Sequence, residues 1–381
     1  MRDDQLPRTP PTGATPLGAS AGRRRRRRGL RITAWAAAGV VLLGAAGAGY
    51  LYYRLNGNIN SVDINGALGQ DRPPPLGNGA EDILVLGSDS RSGDNSEYGN
   101  DTGTARSDTA MVVHLDKGHT SASVVSIPRD TLVARPACTK PDGSVAPAAQ
   151  SVMFNTAYEV GGPACAVKTV EQMTGLRMDH YIEVDFTGFK NLVNALGGVP
   201  ITTTQAIHDS QSHLDLAAGT HTLDGEQALA LVRTRHGVGD GSDLGRIELQ
   251  QAFMKALMDR ISGLGLLTSP TKLFKVADTA TKAVTTDTGL GSVTKLTSFA
   301  ESLQKLKSSD VHMITLPVTY STSDPNRVVP IDAQAAMVWS ALKADQPIPA
   351  AATKGSAAAS ETAGSVVSPS PTPTGSASAS P

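Results

Sequence analysis

The fold of this chain is decided by the stretch Ile83-Leu84-Val85-Leu86-Gly87-Ser88-Asp89-Ser90-Arg91. Its first four residues form an apolar run between polar residues, a pattern that predicts a strand at the centre of a sheet. The apolar runs Ala110–Leu115 and Ser123–Ile127 follow closely, and such short connections favour antiparallel pairing. Further strands are predicted at Tyr181–Phe186, Val199–Thr203 and His312–Val318.

Helical patterns alternate with these strands. Thr187 is predicted to cap a helix that runs to Leu196 and ends at two glycines. Asp224 and Gln227 have the spacing of a capping box, and Asp332 is the predicted cap of a last helix. Strands interleaved with helices predict an α/β protein, an α-β-α sandwich around a mixed central sheet.

A membrane anchor is predicted near the N-terminus. Arg23–Arg28 is an unbroken run of six arginines, and Ile32–Tyr53 holds 22 residues without a charged side chain. Roughly 20 apolar residues span a bilayer. The preceding arginines predict a single-pass plasma-membrane protein with a cytoplasmic N-terminus and an extracytoplasmic main domain. A cleaved signal peptide is the alternative, since Ala45-Ala46-Gly47-Ala48 resembles a cleavage site.

Composition divides the chain into five segments. The main one is the α/β domain, which one transmembrane helix precedes. Beside a membrane span, topology and anionic lipid explain the arginine run better than nucleic acid, so no nucleic-acid partner is expected. The predicted segments are a basic disordered tail over residues 1–29, the transmembrane helix over 30–54, a stalk over 55–80, the folded domain over 81–349 and a disordered Ala/Ser/Pro tail over 350–381.

The chain has two cysteines, Cys138 and Cys165. Both follow the predicted span and would therefore lie in an oxidising space, where a disulfide is the favoured state. Two unpaired buried thiols are the alternative.

Two charged blocks flank the first predicted strands. Asp89 and Arg91 follow the first strand, and Arg106 and Asp108 precede the second. If these strands are neighbours, the two aspartates can approach each other, and close carboxylates repel unless a cation lies between them. Mg²⁺ suits such a site when phosphate supplies further ligands. Ordinary turn-forming aspartates are the alternative.

Further arginines lie at the ends of predicted elements. Arg129 and Asp130 follow a strand that a proline ends, where a weak surface ion pair is the alternative reading. Arg233 and Arg235 end an apolar helix. Residues two apart on a continuous helix face different directions, so both can serve one site only if the helix unwinds near Thr234. A cation that complements the helix dipole is the alternative.

A third group of polar residues lies on one face of the next predicted helix. Asp243, Arg246 and Gln250 follow each other at intervals of three and four residues, which places them on one side of a helix. An ordinary solvated face is the alternative. His208 and His213 lack the spacing of zinc ligands, which favours solvated histidines.

Several enzyme classes are excluded by missing motifs. The sequence contains no phosphate-binding G-x-x-x-x-G-K-[ST] loop, no H-E-x-x-H zinc motif and no G-x-S-x-G nucleophile elbow. Without an evident covalent nucleophile, positioning and charge neutralisation remain, which is how phosphoryl transfer is largely catalysed.

Taken in order, these blocks resemble the LytR-CpsA-Psr family of bacterial cell-envelope proteins, and the alanine and glycine content and the cysteine pair are similar to actinobacterial members. The resemblance runs from Asp82 to about Asp259. It rests on the blocks Ile83–Arg91, Arg106–Met111, Ser126–Thr131, Phe186–Phe189, Leu196–Val199, Leu223–Leu229, Val232–Arg235 and Arg246–Gln251.

The resemblance implies an enzyme that moves a glycopolymer from an undecaprenyl-pyrophosphate carrier to peptidoglycan or a related wall acceptor, forming a phosphodiester. It implies that Asp89 and Asp108 hold Mg²⁺, or Mn²⁺, although the loop between them is longer than the family's compact version. The implied pyrophosphate-binding residues are Arg91, Arg106, Arg129, Arg233 and Arg235. Asp243, Arg246 and Gln250 are implied to support the head-group site, and Asp108 and Asp130 are candidate general bases.

Two other functions fit the same residues. A polyprenyl-phosphate-binding regulator of the envelope would bind lipid without turnover. A polyprenyl-pyrophosphate hydrolase would use water as the acceptor.

Overall fold

A computed structural model describes residues 45–88, 107–239, 241–265 and 269–370. The chain divides into two units, Met1–Arg54 and Leu55–Pro381. In the first unit, residues 45–54 are helical, and the remainder of the predicted anchor and tail lies outside the described residues. Within the ranges given above, no helix combines the length and the apolar character needed to cross a membrane.

The second unit contains the strands and helices that build the fold. The strands are β1 (Asn60–Val62), β2 (Glu81–Ser88), β3 (Ser107–Leu115), β4 (Ala122–Ile127), β5 (Leu132–Arg135), β6 (Cys138–Thr139), β7 (Val145–Ala146), β8 (Ala149–Met153), β9 (His180–Asp185), β10 (Val199–Thr203), β11 (Ile207–Asp209), β12 (Leu214–Leu216), β13 (Gly219–Leu223), β14 (Val284–Asp287), β15 (Val311–Thr315), β16 (Val318–Tyr320), β17 (Val328–Pro330) and β18 (Val367–Pro369). The α-helices are α1 (Ile64–Leu68), α2 (Asn155–Thr174), α3 (Phe186–Ala195), α4 (Gly225–Arg233), α5 (Asp243–Gly263), α6 (Pro270–Ala283), α7 (Val293–Ser302) and α8 (Asp332–Lys343).

The predicted mixed central sheet is confirmed. It has seven strands in the order β1-β14-β9-β2-β3-β4-β15. The pairs β2–β3 and β3–β4 are antiparallel, as the short connections predict, whereas β2–β9 and β4–β15 are parallel. The strands β2, β4 and β9 therefore end at the same edge of the sheet.

Helices pack on both faces of this sheet because side chains alternate along each strand. Leu84 and Leu86 of β2 join a core that includes Val167 of α2 and Trp339 of α8. Ile83 belongs to the opposite face, where Met254 of α5 packs. The sheet is thus covered by α2 and α8 on one face and by α5 on the other.

A second apolar core forms beside the sandwich. The predicted strand Val199–Thr203 is present as β10, but it pairs with β13 and β18 in a separate three-stranded sheet. Ile201 of β10 and Leu231 of α4 are fully buried there against Phe253 of α5. Helix α5 therefore contributes to both cores and links the central sheet to the smaller one.

The predicted disulfide between Cys138 and Cys165 is present. It joins β6 to α2, which is interrupted at Gly161 and Gly162. A Cβ at Gly161 would lie 2.7 Å from Cys165 Cβ and 2.9 Å from Thr139 O, so only glycine fits beside the bridge. The disulfide thus ties the β6–β7 hairpin, which follows β5, to α2.

Local details of three predictions are wrong. Asp185, not Thr187, caps α3, because its carboxylate accepts the Gly188 amide at 2.7 Å. No side-chain bond caps α8, which begins at Asp332 itself. The predicted strand His312–Val318 is two strands, β15 and β16, and its last residue pairs with Pro330 in a hairpin. The capping box of Asp224 and Gln227 is confirmed.

Both predicted boundaries of the folded domain are too narrow. The predicted stalk contributes β1 to the central sheet and the buried Ile64 to the main core. The predicted disordered tail contributes β18, and Ala352 and Ala363 in it are fully buried. Residues 371–381 lie outside the described residues. The folded unit therefore extends on both sides of residues 81–349.

Candidate functional site

A cavity of about 380 Å³ lies where β2, β4 and β9 end and β3 begins. Charged and amide side chains contribute to its lining, namely Asp108, Arg129, Arg233, Arg235, Arg246 and Gln250. Apolar side chains from the sheet and helices line it as well, among them Val85, Met111, Phe189, Phe253 and Leu257. The cavity therefore offers cationic groups and an apolar surface to one ligand.

Three arginines from three different elements surround the carboxylate of Asp243. Its Oδ1 lies 2.8 Å from Arg246 Nη2, 3.4 Å from Arg129 Nε and 3.4 Å from Arg235 Nη2. Asp243 begins α5, where an acidic residue also complements the helix dipole. One buried anion thus holds three cations together.

Asp108 is the second carboxylate of this network. Arg129 Nη1 donates to its Oδ1 at 2.5 Å, and Arg246 Nη2 donates to its backbone oxygen at 2.8 Å. Burial alone would raise the pKa of Asp108, but Arg246 and Arg129 lower it overall. The pKa of Arg129 is raised because Asp108 and Asp243 outweigh its burial. Asp108 is therefore an ionised carboxylate in this site.

The helix that carries Arg233 unwinds directly after it, which is the condition under which both arginines can serve one site. Thr234 is the C-cap of α4 and has φ −59° and ψ 134°, outside the helical region. Both Arg233 and Arg235 line the cavity for this reason. The Arg233 guanidinium carbon also lies 5.0 Å from the centre of the Phe186 ring, a cation–π distance.

Asp209 fixes the backbone at this break. Its Oδ2 accepts the Arg235 and His236 amides at 2.9 and 3.0 Å, and its Oδ1 accepts those of Gln211 and Ser212 at 2.8 and 3.3 Å. Burial would raise the pKa of Asp209, but these hydrogen bonds lower it overall. Asp209 thus positions Arg235 through its main chain.

Several charged atoms in the network are buried but lack hydrogen bonds within the described part of the chain. They are both carboxylate oxygens of Asp243 and the Nε atoms of Arg129 and Arg246. The contacts to Asp243 are close enough for ion pairing, but their angles are not those of hydrogen bonds. Buried charges without hydrogen bonds are costly, which favours a ligand that supplies them.

Arg327 adds a cation near this network from a distant part of the chain. It lies directly before β17, and its Nη1 is 3.8 Å from Asp130 Oδ1. The Val328 amide donates to the Asp130 carbonyl at 3.4 Å, which fixes the hairpin beside the strand end. Arg129 Nε lies 3.5 Å from the other Asp130 oxygen. Asp130 is therefore flanked by two arginines.

The model of the LytR_cpsA_psr family matches residues 51–344 of this chain. The protein belongs to the LytR-CpsA-Psr family. It is 34% identical over 315 residues to the cell wall biosynthesis protein LcpA of Corynebacterium glutamicum, covering 74% of this chain and 58% of LcpA. It is 32% identical over 236 residues to the polyisoprenyl-teichoic acid–peptidoglycan teichoic acid transferase TagT of Bacillus subtilis, covering 59% of this chain and 67% of TagT.

Solved structures of the family share the fold. The LytR-Csp2A-Psr enzyme from Actinomyces oris superposes with a TM-score of 0.56 at 23% identity, covering 75% of this chain and 96% of that one. Bacillus subtilis TagV superposes with a TM-score of 0.55 at 26% identity, covering 70% of this chain and 96% of that one.

Most of the residues singled out in the sequence come together in this LytR-CpsA-Psr site. Six of them line the cavity, and Asp130 and Asp243 join through ion pairs. Gln250 donates to the Val232 carbonyl at 2.9 Å, so it also ties α5 to the end of α4. Asp89, Arg91 and Arg106 lie outside the described residues. The chemical roles assigned to all these residues stay predictions.

The described residues supply part of what a magnesium site requires. Among them, no three His, Cys, Asp or Glu side chains form a group that could hold a metal ion. Asp108 nevertheless presents an ionised carboxylate, and the two oxygens of Asp243 lack hydrogen bonds. Carboxylate oxygens are the hard ligands that Mg²⁺ prefers, with substrate phosphate completing its coordination. Asp108 therefore supplies one ligand of the kind that Mg²⁺ prefers.

Two positioning residues were absent from the sequence prediction, Asp209 and Arg327. Asp209 lies in a short strand and resembles any loop aspartate in sequence. Arg327 lies almost 200 residues after Asp130, and the bridge between Thr131 and Val328 brings the two together. The mostly polar residues around Asp209 gave no signal that singled it out.

Proposed function

We propose that this protein is a membrane-anchored, extracytoplasmic transferase that moves a glycopolymer from an undecaprenyl-pyrophosphate carrier to peptidoglycan or a related wall acceptor. The observation that carries the proposal is the gathering of Arg129, Arg235 and Arg246 in a cavity with an extensive apolar lining. Guanidinium groups bind phosphate in a bidentate manner. The apolar lining suits the hydrocarbon of a polyprenyl carrier.

The relatives support this proposal by their names. LcpA is a cell wall biosynthesis protein, and TagT is a transferase that acts on polyisoprenyl-linked teichoic acid and peptidoglycan. The chain spans 58% of the length of LcpA. Because the match covers only part of that relative, the donor, the acceptor and the bond formed are proposed from this protein's own site and not from the relatives' names alone.

The proposed reaction exchanges one phosphorus–oxygen bond for another. The acceptor hydroxyl oxygen attacks the sugar-proximal phosphorus, and the bond from that phosphorus to the bridging oxygen breaks. Undecaprenyl phosphate leaves, and the polymer remains joined to the acceptor through a phosphodiester. Arg129, Arg235 and Arg246 would neutralise the charge on the phosphoryl oxygens, which is often the dominant catalytic effect.

Asp108 and Asp89 are the proposed ligands of Mg²⁺, or Mn²⁺, which would supply additional charge neutralisation when bound. Asp108 suits this role because neighbouring arginines keep it ionised. The same lowered pKa makes Asp108 a poor proton acceptor. Asp130, which Arg129 and Arg327 hold beside the cavity residues, is the other candidate for taking the proton from the acceptor hydroxyl, and it is not a proposed metal ligand.

Mass spectrometry of the cell wall tests this proposal. Deletion of the gene should remove a phosphodiester-linked polymer from peptidoglycan, and the wild-type gene should restore it. A regulator without turnover would bind the lipid-linked polymer but form no product, so the purified wild-type protein should then release no undecaprenyl phosphate. An unchanged set of wall linkages after deletion would contradict the transferase.

A further inference from the structure

The C-terminal residues 361–370, here called the strap, pass over the helix that carries the site. Strand β18 of the strap pairs antiparallel with β10, and the Thr204 amide donates to the Val366 carbonyl at 2.9 Å. The strap lies beyond residues 51–344, to which the family model matches. It is therefore an addition of this chain to the matched region that still forms part of the folded unit.

The strap packs into the same apolar core that lines the cavity. Val366 and Val367 are buried in the cluster that contains Phe253 and Leu257 of α5. Phe253 and Leu257 also line the cavity. A shift of the strap would thus displace side chains that line the cavity, because the two pack in one apolar cluster.

A hydrogen bond fixes the strap along α5. The Gly364 amide donates to Glu248 Oε2 at 2.8 Å, and a Cβ at Gly364 would lie 3.1 Å from Glu248 Cβ. Glu248 follows Asp243 and Arg246 on the same helix, two residues after Arg246. The strap is consequently held at the helix turn next to the charged network.

The strap also packs against two glycines beside the network. Ala363 is fully buried, and its Cβ would lie 3.1 Å from a Cβ built on Gly239 and 3.4 Å from one built on Gly245. Gly239 has φ +62°, and Gly245 lies between Asp243 and Arg246. A Cβ at Gly239 would therefore be tight against the strap and one at Gly245 would be in van der Waals contact with it, so Ala363 packs directly on both glycines.

We propose that the strap is a positioning element for the site and that Ala363 is its principal positioning residue. By packing on Gly239 and Gly245, Ala363 holds the loop before α5 and the first turn of α5. Asp243 and Arg246 are thereby kept in register with Arg129 and Arg235. The catalytic consequence rests on the proposed function, whereas the positioning itself does not.

Substitution of Ala363 by leucine in the full-length protein tests this proposal. The larger side chain should push the strap away from α5, so the amides of residues 236–246 should exchange hydrogen faster than in the wild type. The transfer rate should fall about tenfold or more, since small misplacements of catalytic groups are costly. The variant Ala363→Ser, whose side chain is close in size to alanine, should keep both the amide exchange and the transfer rate near those of the wild type.

Ala352→Leu is the matched control. Ala352 is also fully buried in the C-terminal part of the chain, but it belongs to the main core with Trp339 of α8. The substitution Ala352→Leu should lower the stability of the protein without accelerating amide hydrogen exchange at residues 236–246. If Ala363→Leu does not fold, Val366→Ala serves in its place and should show the same local effect to a smaller degree.

The outcomes separate this proposal from the proposed function. The positioning role would be overturned if amide exchange at residues 236–246 were unchanged in both Ala363→Leu and Val366→Ala. It would also be overturned if Ala352→Leu accelerated that exchange to the same extent. Faster local exchange in a protein whose wild type forms no phosphodiester would support positioning and contradict the transferase.

Discussion

Two buried charge clusters in this molecule use the same residue types but differ in how completely they are hydrogen bonded. In the first, Arg72 Nε donates to both oxygens of Glu171 at 3.0 Å, and Arg72 Nη2 donates to Glu171 Oε1 at 2.6 Å. Met178 completes it, with its carbonyl accepting from Arg72 and its amide donating to Glu171. In the second, around Asp243, three arginines share one carboxylate whose oxygens lack hydrogen bonds within the described residues.

The difference distinguishes a structural ion pair from a binding site. The Arg72–Glu171 pair is only 1% and 3% exposed, and it fastens the segment before β2 to α2. Its donors and acceptors are used within the protein, which is what stability requires. The arginines of the Asp243 network line a cavity, and the Nε donors of Arg129 and Arg246 lack hydrogen bonds within the described residues, so they can serve an anionic ligand. Substitutions in the two clusters should therefore affect different properties.

The largest effect is expected for Arg129→Ala. Loss of this guanidinium removes a contact to both Asp108 and Asp243 and one of the charges that would neutralise the pyrophosphate. The transfer rate should fall by about 100- to 1,000-fold, as for other preorganised charge-stabilising groups. A transfer assay with purified lipid-linked substrate measures it, and circular dichroism should show an intact fold.

Arg260→Ala is the control for this substitution. Arg260 lies on the same helix, α5, and donates to the Leu196 carbonyl at 2.9 Å instead of to a carboxylate of the network. It should transfer at nearly the wild-type rate. Equal losses in both variants would show that the helix, not the charge network, determines activity.

Glu171→Gln should reduce stability instead. It leaves the buried Arg72 charge without its counterion, and breaking a buried pair in this way costs about 3 kcal/mol of unfolding free energy. Urea unfolding followed by circular dichroism measures the loss, and the folded fraction should keep its transfer rate. Glu226→Gln is the matched control, since its side chain is 66% exposed beside Lys190 and should contribute less than about 1 kcal/mol.

Asp209→Asn should give an intermediate effect. The new amide nitrogen would face backbone donors of either Gln211 and Ser212 or Arg235 and His236, so it repels one pair. Arg235 should shift, and the transfer rate should fall about tenfold. Asp116→Asn, in the turn after β3, changes a carboxylate that also accepts backbone amides and should leave the rate unchanged. Equal rates in the two variants would refute the positioning role of Asp209.

The smallest effect is expected from the pair of His180 and Asp287, whose nearest atoms are 3.1 Å apart. Burial would lower the pKa of His180, but Asp287 raises it overall, and His180 lowers the pKa of Asp287 against its burial. Their contribution to stability should be fully present between about pH 4 and 6.5. It should decline as pH rises through the raised pKa of His180, or falls through the lowered pKa of Asp287.

Unfolding free energies at about pH 6 and pH 8.5 test this prediction. The difference between the wild type and His180→Gln should be larger at the lower pH. His312→Gln, at an exposed position of β15, should have a small effect at both. A difference that grows with pH would contradict the assigned direction of the His180 shift.

Elements with a strong local pattern could be predicted from the sequence. The apolar run at Ile83–Leu86 gave the central strand, and the capping box at Asp224 gave the start of α4. Sheet membership is not a local property, so β10 was expected in the sandwich and instead pairs with β13 and β18. The strap was taken for disordered tail because alanine and serine carry little apolar surface. Ala363 is buried by fitting against glycine, which no composition reveals.

The same distinction between local patterns and distant contacts applies to the site. Arg129, Arg233 and Arg235 could be found because charges directly after apolar runs stand out, and the break at Thr234 followed from helix geometry. Asp209 and Arg327 could not, because their importance depends on contacts with residues far away in sequence.

A reconstituted transfer reaction tests the central claim most directly. Purified protein, lipid-linked polymer and peptidoglycan acceptor should yield the phosphodiester-linked polymer together with an equal amount of undecaprenyl phosphate. Arg129→Ala should lower the rate at which both products form by about 100-fold or more, and Arg235→Ala should lower it strongly as well, while the proteins remain folded. Full transfer by both variants, or release of undecaprenyl phosphate without polymer on the acceptor, would contradict the account.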